Sequence, residues 1–198
     1  MSTTTKMILV LTTLTVISGG LLSYWDGFTR PRIEAYKLQE LKKAITEVLP
    51  AHDSYDEVKG DGMTLYVGKK AANPQPVGIA FDAVGNGFQG KVSIMVGVTP
   101  DFSHIIAIKI LEQIETPGLG TKIVEDQTNK QDPFWFSNQF KNLTVDPQIE
   151  VVKNIKPSKR NEIQAITGAT ISSRSVAKLL TDQIRAAKSI YQSKVGQD

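Results

Sequence analysis

The chain has 198 residues, with 23 Lys and Arg against 20 Asp and Glu, a formal charge of +3. That length suits one domain with an appended segment. So mild a charge, with no basic run interleaved with aromatics, argues against nucleic acid as a partner. Cysteine is absent, which excludes disulfides, thiolate metal sites, iron–sulfur ligation and a cysteine nucleophile. The two histidines, His52 and His104, stand without metal-ligand spacing, so no metal site is expected.

Met7 to Tyr24 carries no charge and is bracketed by Lys6 and Asp26. Its length is near the lower limit for a membrane-spanning helix. Thr12, Thr13, Thr15 and Ser18 dilute it, but hydroxyls bond back to helix carbonyls. Tyr24 and Trp25 sit where interfacial aromatics belong. Ser18-Gly19-Gly20 is a weak cleavage site with no Ala-x-Ala pattern, so a retained anchor is expected over a signal peptide. Lys and Arg after the span (Arg30, Arg32, Lys37) outnumber those before it, which on charge alone tilts the following domain to the cytoplasm.

Pro31 opens an amphipathic segment in which Ile33, Tyr36, Leu41, Ile45 and Val48 recur at mostly helical spacing. Pro50 ends it. A stalk helix is expected there, its charged residues forming a solvated face. Ser54 to Pro76 is polar and turn-rich, with one short strand at Thr64 to Val67. Val77 to Ala83 is apolar, Gly85 to Gly90 is a turn signal, and Lys91 to Val98 and His104 to Leu111 read as strands joined at Thr99-Pro100-Asp101. Phe134, Trp135 and Phe136 are expected to anchor a short helix in the core. Val151-Val152 and Glu162 to Ile166 are further strand candidates. Val176, Leu180, Ile184, Ala187 and Tyr191 mark one face of a terminal helix. The fold expected is α+β: an anchor at residues 1–25, a stalk at 26–50, and one antiparallel-sheet domain at 51–198 closed by a C-terminal helix.

Two stretches carry chemistry. Ala165-Ile166-Thr167-Gly168-Ala169-Thr170-Ile171-Ser172-Ser173 lies between a strand and the last helix. Gly168 permits a bend, Ala169 is small, and hydroxyls suit a helix start. Free amides and the positive dipole end make that start a plausible phosphate seat, with Arg174 and Lys178 adding charge. A merely capped helix fits the same spacing. In Glu115-Thr116-Pro117-Gly118-Leu119-Gly120, Pro-Gly prescribes a turn, and the glycines leave room for a flat ligand. Thr116 offers a hydroxyl, Leu119 an apolar surface, and Glu115 either a hydrogen bond or a solvated charge.

Together the two motifs resemble the FMN-binding domain family. The resemblance implies FMN attached through a phosphoester to Thr170, with Glu115, Thr116, Gly118, Leu119, Gly120, Thr167, Gly168, Ala169 and Ser173 as further FMN contacts. The whole layout is similar to the G-subunit branch of that family, from the ion-translocating Rnf electron-transport complex. The C subunits of Na⁺-translocating NADH:quinone oxidoreductases are the near relatives. The family often has Asp where Gln164 stands and His where Gln113 stands. The resemblance implies an electron carrier, an extracytoplasmic domain despite the charge tilt, iron–sulfur and flavin subunits as membrane partners, and a separate flavin transferase for maturation. A C-type subunit of a Na⁺-translocating NADH:quinone oxidoreductase, a membrane-tethered flavin sensor and a purely structural subunit are the competing functions.

Overall fold

The computed structural model describes residues 2–195. It opens with one long helix, α1 (Thr3–Val48). The helix runs through Pro31, where the sequence pattern suggested a new start. A proline there removes one intrahelical hydrogen bond, and long helical stretches on both sides tolerate the loss. The part of the chain up to Glu40 is a compact unit of its own. Its large apolar side chains, from Met7 to Leu38, are exposed, and the helix is long and apolar enough to cross a membrane.

The second unit starts at Leu41. Its centre is a six-stranded antiparallel sheet in sequence order: β1 (Ser54–Lys59), β2 (Thr64–Lys70), β3 (Asn73–Asn86), β4 (Lys91–Val98), β5 (His104–Gln113) and β6 (Leu143–Thr144). A short helix, α2 (Trp135–Asn138), precedes β6. A parallel pair, β7 (Glu150–Val152) and β8 (Glu162–Gln164), leads into α3 (Thr170–Val195).

Strand periodicity sends alternate residues to opposite faces, and both faces of the sheet centre are covered. Ile79, Phe81 and Ala83 of β3 and Val92, Ile94, Val96 and Val98 of β4 pack with Val176, Leu180, Ile184 and Ala187 of α3. Ala80 and Met95 point the other way, into a cluster with Ala44, Ile45, Val48 and Leu49 at the end of α1. Double coverage explains why Lys91 to Val98 reads as a nearly continuous apolar run rather than an alternating one. The α1 end approaches so closely that a Cβ on Gly97 would lie 2.1 Å from the Val48 carbonyl oxygen. Only glycine fits under that carbonyl.

Two strands were not visible in the sequence pattern. β1 is an edge strand with an exposed Asp56 and Glu57, and charge on an edge discourages unwanted pairing. β6 has two residues, too few for any periodicity. β3 reaches back to Asn73 and forward to Asn86, so the turn signal narrows to Gly87–Gly90, closed by Gly87 N–H donating to Gly90 O at 2.7 Å. In the aromatic trio, Phe136 is buried but Phe134 is 54% exposed, and Phe140 takes the second core place.

Three carboxylates fix turns around the sheet. Asp101 is lowered to about 2 chiefly by the Ser103 and Thr99 hydroxyls. Asp126 is lowered to about 2 by the Thr128 hydroxyl, with Lys122 and Trp135 assisting. Glu162 is lowered to about 2 by the Ser158 amide, with Lys159 assisting. Folded values below the ordinary 3.8 and 4.5 mean that the unfolded chain binds protons first on acidification. Their stabilisation is therefore complete above about pH 5 and is lost as pH falls toward about 2. Denaturant midpoints measured from pH 6 down to pH 3 are expected to fall, and Glu162→Gln is expected to flatten part of that fall. Gly97→Ala is expected to cost about 3 kcal/mol or more by overpacking against backbone, seen as a lower unfolding midpoint, while Lys141→Ala at an exposed position leaves the midpoint where it was.

Candidate functional site

The site forms where three loops meet at the start of α3. Gly168 sits at φ +83°, a left-handed conformation that glycine adopts freely. Ala169 N–H donates to Ile166 O at 3.0 Å, and Ala169 O accepts the first helical bond from Ser173 N–H at 3.0 Å. Ala169 is thus the N-cap, and its methyl offers no oxygen to the first-turn amides. The N–H groups of Thr170, Ile171 and Ser172 have no intrahelical acceptor, and no side chain caps them among the described residues. Most helices place Ser, Thr, Asp or Asn there.

The nearby serines are committed elsewhere. Ser173 Oγ donates to Ala169 O and accepts from Ile166 N–H, both at 3.0 Å, which locks the 166–173 turn. Ser172 Oγ donates to Glu115 Oε2 at 2.8 Å. Glu115 is buried. Its Oε1 accepts the backbone N–H of Phe88 at 2.6 Å and of Gln89 at 3.3 Å. The Glu115 amide donates to Gln113 Oε1 at 2.7 Å, so the Gln113 side chain helps orient the loop. Space for the Glu115 carboxylate is made by two glycines: a Cβ on Gly87 would lie 2.2 Å from Oε1, and one on Gly120 would lie 2.6 Å from Oε2.

Between these loops lies a cavity of about 420 Å³. Thr116, Leu119, Gly120, Thr167, Gly168, Ala169 and Thr170 line it, so seven residues singled out from the two motifs come together. Three others do not line it. Glu115 and Ser173 stand behind it as hydrogen-bond brackets, and Gly118, at φ +74°, makes the turn whose amide donates to Thr121 Oγ1 at 3.0 Å. Glycine at 120 answers chiefly to Glu115, where the sequence suggested room for a ligand.

The positive charge also differs from expectation. Arg174 and Lys178 do not line this cavity. They share a face of α3 with Ala177, Thr181 and Arg185 that lines a separate groove beside β7, and Lys178 pairs with Asp182 at 2.6 Å. The cation at the cavity is Lys153, just after β7, with Asn154 beside it. Sequence reasoning missed both, since the β7–β8 pairing brings them in. Phe88, Leu119 and Ile171, exposed by 54%, 45% and 55%, add apolar surface to the lining. Gln164 lies in β8, with its N–H donating to Gln139 Oε1 at 2.6 Å and its carbonyl accepting from Gln139 Nε2 at 3.2 Å.

Glu115→Ala is expected to leave two amides and the Ser172 hydroxyl without their acceptor. Thermal unfolding should then report a loss of about 3 kcal/mol, and Gly120→Ala should lose stability in the same direction by displacing the same carboxylate.

Comparison with known proteins bears on this site. A model of the FMN-binding domain matches residues 87–185. The G subunit of the ion-translocating oxidoreductase complex of Methanosarcina acetivorans is 28% identical over 183 residues, covering 89% of this chain and 90% of that one. The G subunit of the proton-translocating ferredoxin:NAD(+) oxidoreductase complex of Clostridium ljungdahlii is 30% identical over 170 residues, covering 85% and 83%. Among solved structures, the C subunit of the Na(+)-translocating NADH-quinone reductase from Parabacteroides distasonis shares the fold, with a TM-score of 0.51 and 22% identity over 77% of this chain and 83% of that one. The matched span takes in the Gly87 turn, the 115–120 loop and the start of α3, and the chain belongs to the FMN-binding domain family.

Proposed function

We propose that the chain is the electron-carrying subunit of a membrane-bound, ion-translocating ferredoxin:NAD oxidoreductase of the Rnf type, with FMN joined to Thr170 by a phosphoester bond. The observation that carries this reading is the uncapped start of α3. Its first-turn amides, the positive helix end and Lys153 suit a phosphate, and the Thr170 hydroxyl is the nucleophilic oxygen among them. A cavity of about 420 Å³ is of cofactor size. Phe88, Leu119 and Ile171 give it the apolar surface a flat ring requires, while Thr116, Thr167 and Asn154 offer polar contacts. The residues present therefore fit FMN.

When bound, FMN supplies reversible electron transfer, and the protein supplies position and electrostatics. Thr170 holds the phosphate end. The Glu115 bracket keeps the 87–90 turn and the 115–120 loop on either side of the cavity. Thr170 is the substrate of a separate flavin transferase rather than a self-activating nucleophile. A threonine hydroxyl needs a base, and no hydrogen bond to Thr170 Oγ1 exists among the described residues. Both histidines are engaged elsewhere, His52 with Pro50 O at 2.9 Å and His104 with Ser103 Oγ at 2.7 Å.

The apolar part of α1 anchors the subunit, and the domain lies on the extracytoplasmic side, beside iron–sulfur and flavin subunits of the same complex. The span between Lys6 and Asp26 holds no ionisable side chain except Tyr24 near its end, so the coupling-ion path belongs to those other subunits. The test is intact mass with in-gel flavin fluorescence after denaturation, on wild type and Thr170→Ala, each co-expressed with a flavin transferase. Wild type is expected to retain one FMN through denaturation and Thr170→Ala none. A wild type with no covalent flavin beside an active transferase would sink the carrier reading in favour of a tethered sensor or a structural subunit.

A further inference from the structure

Arg174 and Lys178, which the site at Thr170 does not use, line a second recess of about 490 Å³ between α3 and β7. It shares no lining residue with the cofactor cavity. Ile149, Val151 and Ala177 give it an apolar floor, and Arg174, Lys178 and Arg185 stand along its α3 wall. Lys178 pairs with Asp182, and Glu150 with Lys159. Arg185 donates to the neutral Pro147 carbonyl, and Arg174 makes no hydrogen bond or ion pair among the described residues. Two guanidinium charges are therefore left uncompensated. They lie eleven positions apart, on the same side of the helix and about 16 Å from each other along its axis. The strand wall is open as well. Glu150 N–H donates to Asn161 O at 2.8 Å and Val152 O accepts from Ala165 N–H at 2.9 Å, so both residues turn to β8. Ile149 N–H turns the other way and donates to Thr181 Oγ1 at 3.2 Å. The parallel ladder puts the N–H and carbonyl of Val151 on that same α3 side, and neither has a partner among the described residues.

We propose that this groove binds an extended, acidic segment of a partner protein, whose carboxylates meet Arg174 and Arg185 and whose main chain pairs with Val151. Arginine suits the task, because its planar fork takes a carboxylate through two parallel bonds. The separation of the two guanidinium groups is spanned by about five residues of extended chain, which sets the spacing of the carboxylates in the partner. An unpaired N–H and carbonyl on a strand edge are what an added extended segment uses for affinity. The Lys178–Asp182 pair is exposed on both sides, so it reopens at little cost and lets Lys178 join the contact. A free phosphate would engage a single guanidinium and leave the apolar floor uncovered, so the groove as a whole suits a peptide. Because the two recesses share α3 but no lining residue, a partner held here leaves the cofactor cavity open to electron exchange.

Gln148 is exposed and lines the groove, while Lys141 is exposed outside it. The full chain is produced in its native membranes with the photo-crosslinking residue p-benzoylphenylalanine in place of one or the other. Gln148→p-benzoylphenylalanine is expected to give a protein adduct about tenfold above that of Lys141→p-benzoylphenylalanine, and mass spectrometry is expected to place the adduct in a segment with carboxylates about five residues apart. Adding Arg174→Glu is expected to cut the adduct about tenfold, and Arg174→Lys much less. Crosslinking in about 0.5 M salt is expected to cut it with the groove unaltered, which keeps the test independent of any substitution. An adduct no greater than that at Lys141, a crosslinked segment without acidic residues, or an adduct indifferent to both charge reversal and salt overturns the proposal. An adduct with lipid in place of protein also overturns it. The adduct is scored whether or not Thr170 carries FMN, so a negative result leaves the flavin reading standing.

Discussion

Glu115 accepts hydrogen bonds from Phe88, Gln89 and Ser172, groups as far as 57 residues away in sequence, and the cavity depends on that convergence. A buried carboxylate is tolerable only when its lone pairs are satisfied, and charge-assisted bonds of this kind are the stronger class. Gly87 and Gly120 are glycines because their missing side chains leave the space this carboxylate fills. The Gly87 turn, the 115–120 loop and the first turn of α3 are thereby joined at one point. Each alone is an ordinary surface loop.

The sheet supplies the rigid frame for that convergence. β3 and β5 run on into the two loops from neighbouring positions on either side of β4, and α3 packs across the same sheet through Val176, Leu180 and Ile184. All three partners of the Glu115 bracket therefore grow from one packed core. A site built from element ends on a shared core holds its geometry better than one built on free loops.

Much of this was legible in the sequence where local chemistry decides. The opening of α3 after the Gly168 bend, the strands of the sheet centre and the meeting of two motif loops follow from turn residues, periodicity and resemblance. The hydroxyl cap expected at Thr170 or the serines is not there, because Ala169 holds the N-cap and both serines bond elsewhere. The rest depends on pairings that sequence order does not reveal. Arg174 and Lys178 are close to Thr170 along the helix, but distance along an axis does not say which way a face turns, and theirs lines a separate groove beside β7. Lys153 sits far from either motif and reaches the cavity through a parallel β7–β8 pair. Glu115 was readable as a hydrogen-bonding residue, but only the fold shows that its partners are protein groups. β1 escaped notice because an edge strand is polar for good reason.

The contact between Val48 and Gly97 bears on where this protein can be cut. The end of α1 buries Ala44, Ile45, Val48 and Leu49 on Ala80 and Met95, so the last turns of the membrane-derived helix are core residues of the domain. Proteolytic release or truncation at Pro50 would strip one face of the sheet and expose its apolar surface and the glycine notch to water, inviting aggregation. A soluble fragment that keeps its core must retain the chain from before Leu41. The helix that carries the domain to the membrane is also one of its structural walls, and detaching one from the other means cutting above that shared stretch.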